Sequence, residues 1–275
     1  MTFLGCLDNR GLVTSLGHLA LRLPLDPRRA VTVIKAAEIK LSVVWEISAV
    51  LSLLEEGNLR FRPDDRRSWA DLIRASFADS TGDHMALFHM FRAYNKKEAT
   101  SSKPQLEHWC DQHFLNSSAL TAVSETWHDV GRVLRGADES VNLKRIPDND
   151  LHAQADQISA FFRKMLLNSS FLNVAVYEKG DTYRTLAENQ PSLVHPSSAL
   201  PQGLWDFVIY DEFADVSSKP YLYGVTGIDP RWLCEVPAAA AYMKELMADP
   251  GKKNFFSIQQ LAKVRDQFKK NTSTA

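Results

Sequence analysis

Phe171-Leu172-Asn173-Val174-Ala175-Val176-Tyr177 is the stretch at which the chain changes period. Before it, Leu151, Ala155, Ile158, Phe162 and Met165 recur at helical spacing and share one face. From Phe171 on, branched and aromatic residues favour a strand. Lys179-Gly180-Asp181 is a turn signal, and Thr182 to Leu186 reads as the returning strand. Leu193-Val194-His195, Phe207-Val208-Ile209-Tyr210 and Tyr221 to Thr226 continue the series. A helix leading into about five short strands predicts a small barrel.

Upstream of that helix the pattern is helical. Asp8-Asn9-Arg10-Gly11 is a turn signal, with a short strand, Leu12-Val13-Thr14, after it. Leu16 to Leu23 reads as a helix that Pro24 stops, and Pro27 suits the first turn of the next. Ala30, Val33, Ile34 and Ala37 form one stripe, and Val44, Ile47, Leu51 and Leu54 form another, capped by Ser42. A hairpin beside packed helices is the pattern of a winged helix, which the chain enters midway. Residues 55 to 67 are a polar connector. Beyond it Leu87, Phe88, Phe91 and Tyr94, then Trp109, Phe114, Leu120, Val123, Trp127 and Val130, mark the core of a helical bundle. The predicted class is α+β multidomain, with a degenerate winged helix (1–54), a helical bundle (55–150) and a five-stranded OB-fold β-barrel (151–236). A C-terminal tail with one helix follows (237–275).

The 275 residues carry 32 Lys+Arg against 33 Asp+Glu, a balance that argues against strong autonomous binding of duplex DNA. Three cysteines, Cys6, Cys110 and Cys234, lie far apart with no paired spacing, so neither a zinc site nor a disulfide scaffold is indicated. That usage fits a reducing compartment, nuclear or cytoplasmic. No apolar run approaches a membrane span, and no secretory signal opens the chain. There is no GxxxxGK[ST] loop and no DExH tetrapeptide to grip nucleotide phosphates and magnesium. His84/His89 and His108/His113 are five apart, whereas helical metal pairs share a face at three or four. No GxSxG elbow surrounds Ser197 or Ser198, which argues against a hydrolase.

Six segments in order resemble the C-terminal half of DEAH-box RNA helicases. Leu4 to Leu16-Gly17, followed by Leu23-Pro24-Leu25-Asp26-Pro27, resembles the end of that family's winged helix. Gly82-Asp83-His84 resembles its GDH motif, and Trp109-Cys110 with Phe114-Leu115-Asn116 its next helix pair. Val194-His195-Pro196-Ser197-Ser198 resembles the HPSS strand of its OB-fold. Phe207 to Phe213 and Thr226 to Leu233 are similar to the strands after it. The wording Leu25-Asp26-Pro27 is closer to the splicing branch than to the RNA helicase A branch. Four cationic positions of the family are lost, where Ser118, Trp127, Tyr223 and Val31 stand. None of these replaces an arginine's charge-assisted contacts.

The resemblance implies an accessory module of an ATP-dependent RNA helicase that remodels RNA–protein complexes in pre-mRNA splicing or ribosome biogenesis. Its partners would be single-stranded RNA, the RecA-like motor domains of the same protein and G-patch-type activators, with no membrane. ATP and Mg2+ would belong to the motor, and this chain would bind no cofactor and hydrolyse nothing by itself. A stand-alone RNA- or protein-binding scaffold without ATPase activity is the other reading. The candidate RNA contacts are His195, Ser197 and Ser198, as donors near phosphate or sugar, and Lys219, Arg163 and Lys164, as phosphate contacts. Against the first three stands a bland role, a turn whose Ser hydroxyls satisfy backbone groups. Against the last three stands ordinary solvated charge.

Overall fold

The computed structural model describes residues 1–39, 43–141, 146–216 and 219–273. Its backbone divides into two compact units. One comprises Met1–Thr14, Ser80–Asp83 and Asp156–Ala275, and the other Ser15–Asp79 and His84–Ala155. Among the described residues no helix is long and apolar enough to cross a membrane. The expected cap at Ser42 lies outside the described residues, as does the side chain of Leu151.

The helical unit contains α1 (Ser15–Ala20), α2 (Pro27–Glu38), α3 (Val44–Glu56), α4 (Arg67–Ala75), α5 (Asp83–Glu98, from His84), α6 (Lys103–Gln112), α7 (Ser117–Ala137) and α8 (Asp148–Ala153). Pro27 opens α2 at its first turn, and the Asp26 carboxylate caps it by accepting the Arg28 N–H at 2.9 Å. The stripe Leu87, Phe88, Phe91 and Tyr94 is buried. Trp127, where the resembled family has an arginine, fills the core instead. Its ring lies 3.8 Å from that of Trp45, and its Nε1–H donates to the Trp45 carbonyl. Trp109, read as a buried position, is half-exposed and stacks on His113 at 4.0 Å. Buried Glu46 accepts the Ile146 N–H at 2.8 Å while Arg92 donates to the Ile146 carbonyl at 2.8 Å, so two opposite charges hold the backbone of one residue between them.

The sheet unit opens with α9 (Ala155–Ser170, from Asp156), whose Ile158, Phe162 and Met165 are buried. Seven strands follow: β1 (Val174–Lys179), β2 (Thr182–Thr185), β3 (Pro191–Val194), β4 (Phe207–Ile209), β5 (Glu212–Val216), β6 (Lys219–Tyr223) and β7 (Thr226–Ile228). They form one mixed sheet in the order β5-β6-β3-β2-β1-β4-β7, a half-barrel in which β3 and β6 are the parallel pair. Ala175, Tyr183, Leu200, Val208, Tyr210, Leu222 and Val225 make a core. The sheet thus has seven strands where about five were expected, and its two edge strands are not paired into a closed barrel. Gly224 is the reason for one extra strand. Its φ of +63° breaks the run Tyr221 to Thr226 into β6 and β7, and a Cβ there would lie 2.2 Å from the Asp211 carboxylate. A bend at Asp211 separates β5 from β4 in the same way.

Residues 1–14 cluster with the sheet, not with the helices that follow them. Their hairpin is a single bridge, Leu7 to Val13, closed by the Asp8 carboxylate accepting the N–H groups of Arg10 and Leu12. α10 (Trp232–Glu235) follows β7, and the tail from 237 on, expected to hold one helix, carries α11 (Pro237–Ala248) and α12 (Phe256–Ser273). It is folded in, because Met243, Leu246, Ile258, Leu261 and Val264 are buried.

Candidate nucleic-acid interface

β3 and β6 run side by side with Leu193 level with Tyr221 and Val194 with Leu222. Side chains alternate across a strand, so Leu222 enters the core while Lys219, Tyr221 and Tyr223 share the other face. His195 follows β3 and is held level with Tyr223 by its N–H, which donates to the Leu222 carbonyl at 3.0 Å. Its ring stacks on Tyr223 at 4.3 Å and 25°, and Tyr221 meets it edge-on at 5.4 Å. All three rings are half-buried, and Lys219 is exposed. The neighbouring strand β5 sets Glu212 opposite Tyr223, Ala214 opposite Tyr221 and Val216 opposite Lys219. The face therefore pairs aromatic area with little net charge.

His195-Pro196-Ser197-Ser198 is a turn, closed by the Ser198 N–H donating to the His195 carbonyl at 2.8 Å. The Ser197 N–H donates to His195 Nδ1 at 3.1 Å, and Ser197 Oγ lies 2.7 Å from the same nitrogen. With Nδ1 accepting, the neutral ring carries its proton on Nε2. Ser198 turns the opposite way. Its hydroxyl donates to Asp83 Oδ2 at 2.7 Å, beside the N–H groups of Ala199 (to Oδ1, 2.6 Å) and Val225 (to Oδ2, 2.7 Å). One carboxylate thus collects three donors from two loops of the sheet unit. The Ser80–Asp83 segment reaches it along the edge of β7. The Asp83 N–H donates to the Val225 carbonyl, the Gly227 N–H donates to the Thr81 carbonyl, and Gly82 bridges Thr226. Gly82 sits at φ +122° with Val225 O only 2.3 Å from where a Cβ would be, so the approach needs glycine.

The two candidate cations on α9 both hold partners, Arg163 inside the fold and Lys164 at its surface. Arg163 is 7% exposed; it donates to the Gly227 carbonyl at 2.8 Å and lies over the rings of Trp205 (4.7 Å) and Trp232 (5.3 Å). Lys164 pairs with Glu235 at 2.5 Å. Of the six candidates, the structure brings His195, Ser197 and Lys219 to one face and holds Ser198, Arg163 and Lys164 in other contacts. Tyr221 and Tyr223 complete that face; Tyr223 was read only as the loss of a cation, and neither ring was among the candidate contacts. Their signal was the alternation Lys219-Pro220-Tyr221-Leu222-Tyr223, which sets two rings and a cation on the side opposite Leu222.

Residues 162–239 match a family model described as the oligonucleotide/oligosaccharide-binding (OB) fold. The match begins in α9, takes in all seven strands and ends in α11. The strand region of the chain is therefore an OB-fold domain, and the Ser80–Asp83 segment that completes its edge lies outside the match.

Proposed function

We propose that the chain is the RNA-binding accessory module of a DEAH-box RNA helicase, and that it holds single-stranded RNA on the β3–β6 face of its OB-fold. The observation that carries this reading is the cluster of His195, Tyr221 and Tyr223 on one face of the sheet, with Lys219 on the same side of β6. Stacked rings accept any base, because every base presents a π-face. Lys219 alone on this side of β6, with Glu212 at the far end of the hairpin, gives modest phosphate attraction, so stacking supplies most of the affinity and sequence preference is weak. The order of the helicase-like segments supports the parent assignment, with RNA–protein remodelling in splicing or ribosome biogenesis as the process. Motor domains elsewhere in the parent protein would bring ATP and Mg2+. Those domains and G-patch-type activators are the expected partners, in the nucleus or cytoplasm.

The test is fluorescence anisotropy with labelled oligouridine. Tyr223→Ala should weaken binding by about 1–3 kcal/mol, the range for one stacked base, while Tyr223→Phe keeps most of the affinity. Lys219→Ala should reduce the slope of log K against log salt by about 0.7, one single-strand phosphate. Wild-type affinity in both Tyr221→Ala and Tyr223→Ala, with the fold intact by circular dichroism, would remove this face as the binding site.

A further inference from the structure

The C-terminal helices carry a second surface that the RNA face does not use. α11 and α12 flank an open groove of about 600 Å³. Met243, Met247 and Phe268 make its floor, with Ala240 and Ala248 letting a visitor approach the helix backbone. Ala240, Met243, Lys244, Met247 and Ala248 follow one another at three- and four-residue spacing, so they form one face of α11. The rim is cationic, formed by Lys244, Arg265 and Lys269 with no carboxylate among the lining residues. The chain as a whole carries a formal net charge of −1. Two carboxylates adjoin this rim: Glu245 follows Lys244 on α11, and Asp266 pairs with Arg265 at 2.9 Å. Arg265 also approaches the Met247 sulfur at 3.7 Å, which joins rim to floor. Cys234 closes one end, and burial pushes its thiol pKa up.

We infer that this groove binds an acidic, amphipathic helical segment of a partner protein, its apolar side chains on Met243, Met247 and Phe268 and its carboxylates on Lys244 and Lys269. A groove of this volume is in the range that takes several side chains, and an apolar floor with charged flanks suits the helix-in-groove mode of recognition. Methionines make such a floor adaptable, because an unbranched thioether repacks around differently shaped side chains. The cations select the sign of the partner. A bare basic patch would suit RNA equally well, but the apolar floor favours a ligand with aliphatic side chains over a phosphate backbone.

The experiment titrates the full chain with a fluorescein-labelled peptide of roughly four helical turns, Leu along one face and Glu along the other. A twin with Lys in place of Glu is the control. The Glu peptide should bind at least about tenfold more tightly than the Lys twin, and K244E/K269E, which alters exposed positions, should reverse that preference. Alkylation of Cys234, followed by mass spectrometry, should slow when the Glu peptide is bound; Cys6 and Cys110 are buried and serve as internal references. Equal binding of the two peptides, or no protection of Cys234, overturns the proposal. So does a K244E/K269E variant that loses oligouridine affinity while still binding the Glu peptide, since the patch would then serve nucleic acid. Concentration-dependent self-association that K244E/K269E abolishes, with no peptide binding, would assign the groove to a second copy and overturn it too. Tyr223→Ala should leave peptide binding unchanged, which keeps this result separate from the fate of the RNA face.

Discussion

Asp83 holds together two loops that the sequence places far apart. Its carboxylate accepts from Ser198 Oγ and from the N–H groups of Ala199 and Val225. Asp83→Ala leaves two part-buried backbone donors without an acceptor, and each such loss costs about 1–3 kcal/mol. We expect about 3 kcal/mol from urea unfolding, against about 1 kcal/mol for Ser198→Ala, which removes one hydroxyl and keeps both backbone bonds. Asp83→Asn, which retains one acceptor oxygen, should fall between them. Equal losses for the Ser and Asp variants would mean that the carboxylate does not organise these loops. At this scale the sequence was half legible. His195, Ser197 and Lys219 were visible as polar groups near a strand, and they do share a face. Arg163 looked like a surface cation because its partners, Trp205, Trp232 and Gly227, come from distant parts of the chain, whereas Lys164 is a part-exposed cation that pairs with Glu235. No local pattern announces a guanidinium between two indoles.

β7 shows how an element is fixed by what covers it. Trp205 lies across Gly227, and a Cβ at that position would sit 2.1 Å from the indole. The indole in turn donates from Nε1 to the Ser80 carbonyl at 2.9 Å and packs on Arg163. Gly227→Ala must therefore displace Trp205 and with it both contacts. Overpacking of this kind costs about 1–3 kcal/mol before lost hydrogen bonds are counted, so a loss of about 3 kcal/mol is expected in chemical denaturation, with a weakened near-ultraviolet signal. Gly180→Ala is the contrast. It has φ +56° but nothing within 4 Å, and should cost only about 1 kcal/mol of backbone strain. A Gly227→Ala variant no less stable than Gly180→Ala would remove Trp205 as the cover of β7. The change from helical to strand period near Phe171 was legible because it is local: α9 ends at Ser170 and β1 begins at Val174. The division of the later strands was not, since Gly224 and Asp211 break runs whose side chains remain strand-like on both sides. Nor was the Ser80–Asp83 contribution, because four residues with no period of their own gain an extended shape only from the strand they meet.

Across the whole molecule, buried phenols report on the integrity of each unit separately. Burial pushes Tyr94 in the helical unit, and Tyr183 and Tyr210 in the sheet unit, up to about 12 from 10.0. A raised folded-state value means that stability is complete below the unfolded value, about 10, and is lost as pH climbs from there through about 12. Titration at the tyrosinate absorption band should show these three ionising together with loss of circular dichroism. Normal ionisation of all seven tyrosines near pH 10 with the fold intact would contradict their burial. The sheet unit also draws on three separate stretches of chain, so an excised 156–275 fragment lacks both residues 1–14 and Ser80–Asp83. It should bind more of a hydrophobic dye and unfold at lower urea than the full chain; equal stability would show those stretches to be dispensable. The same interleaving has a consequence for biosynthesis. Asp83 leaves the ribosome 142 residues ahead of Val225, its partner. At translation rates of about 5–20 residues per second, the interval is roughly 7 to 28 seconds. Throughout it Ser80–Asp83 must wait without the strand that gives it an extended shape, whatever the helices synthesised on either side of it have already done.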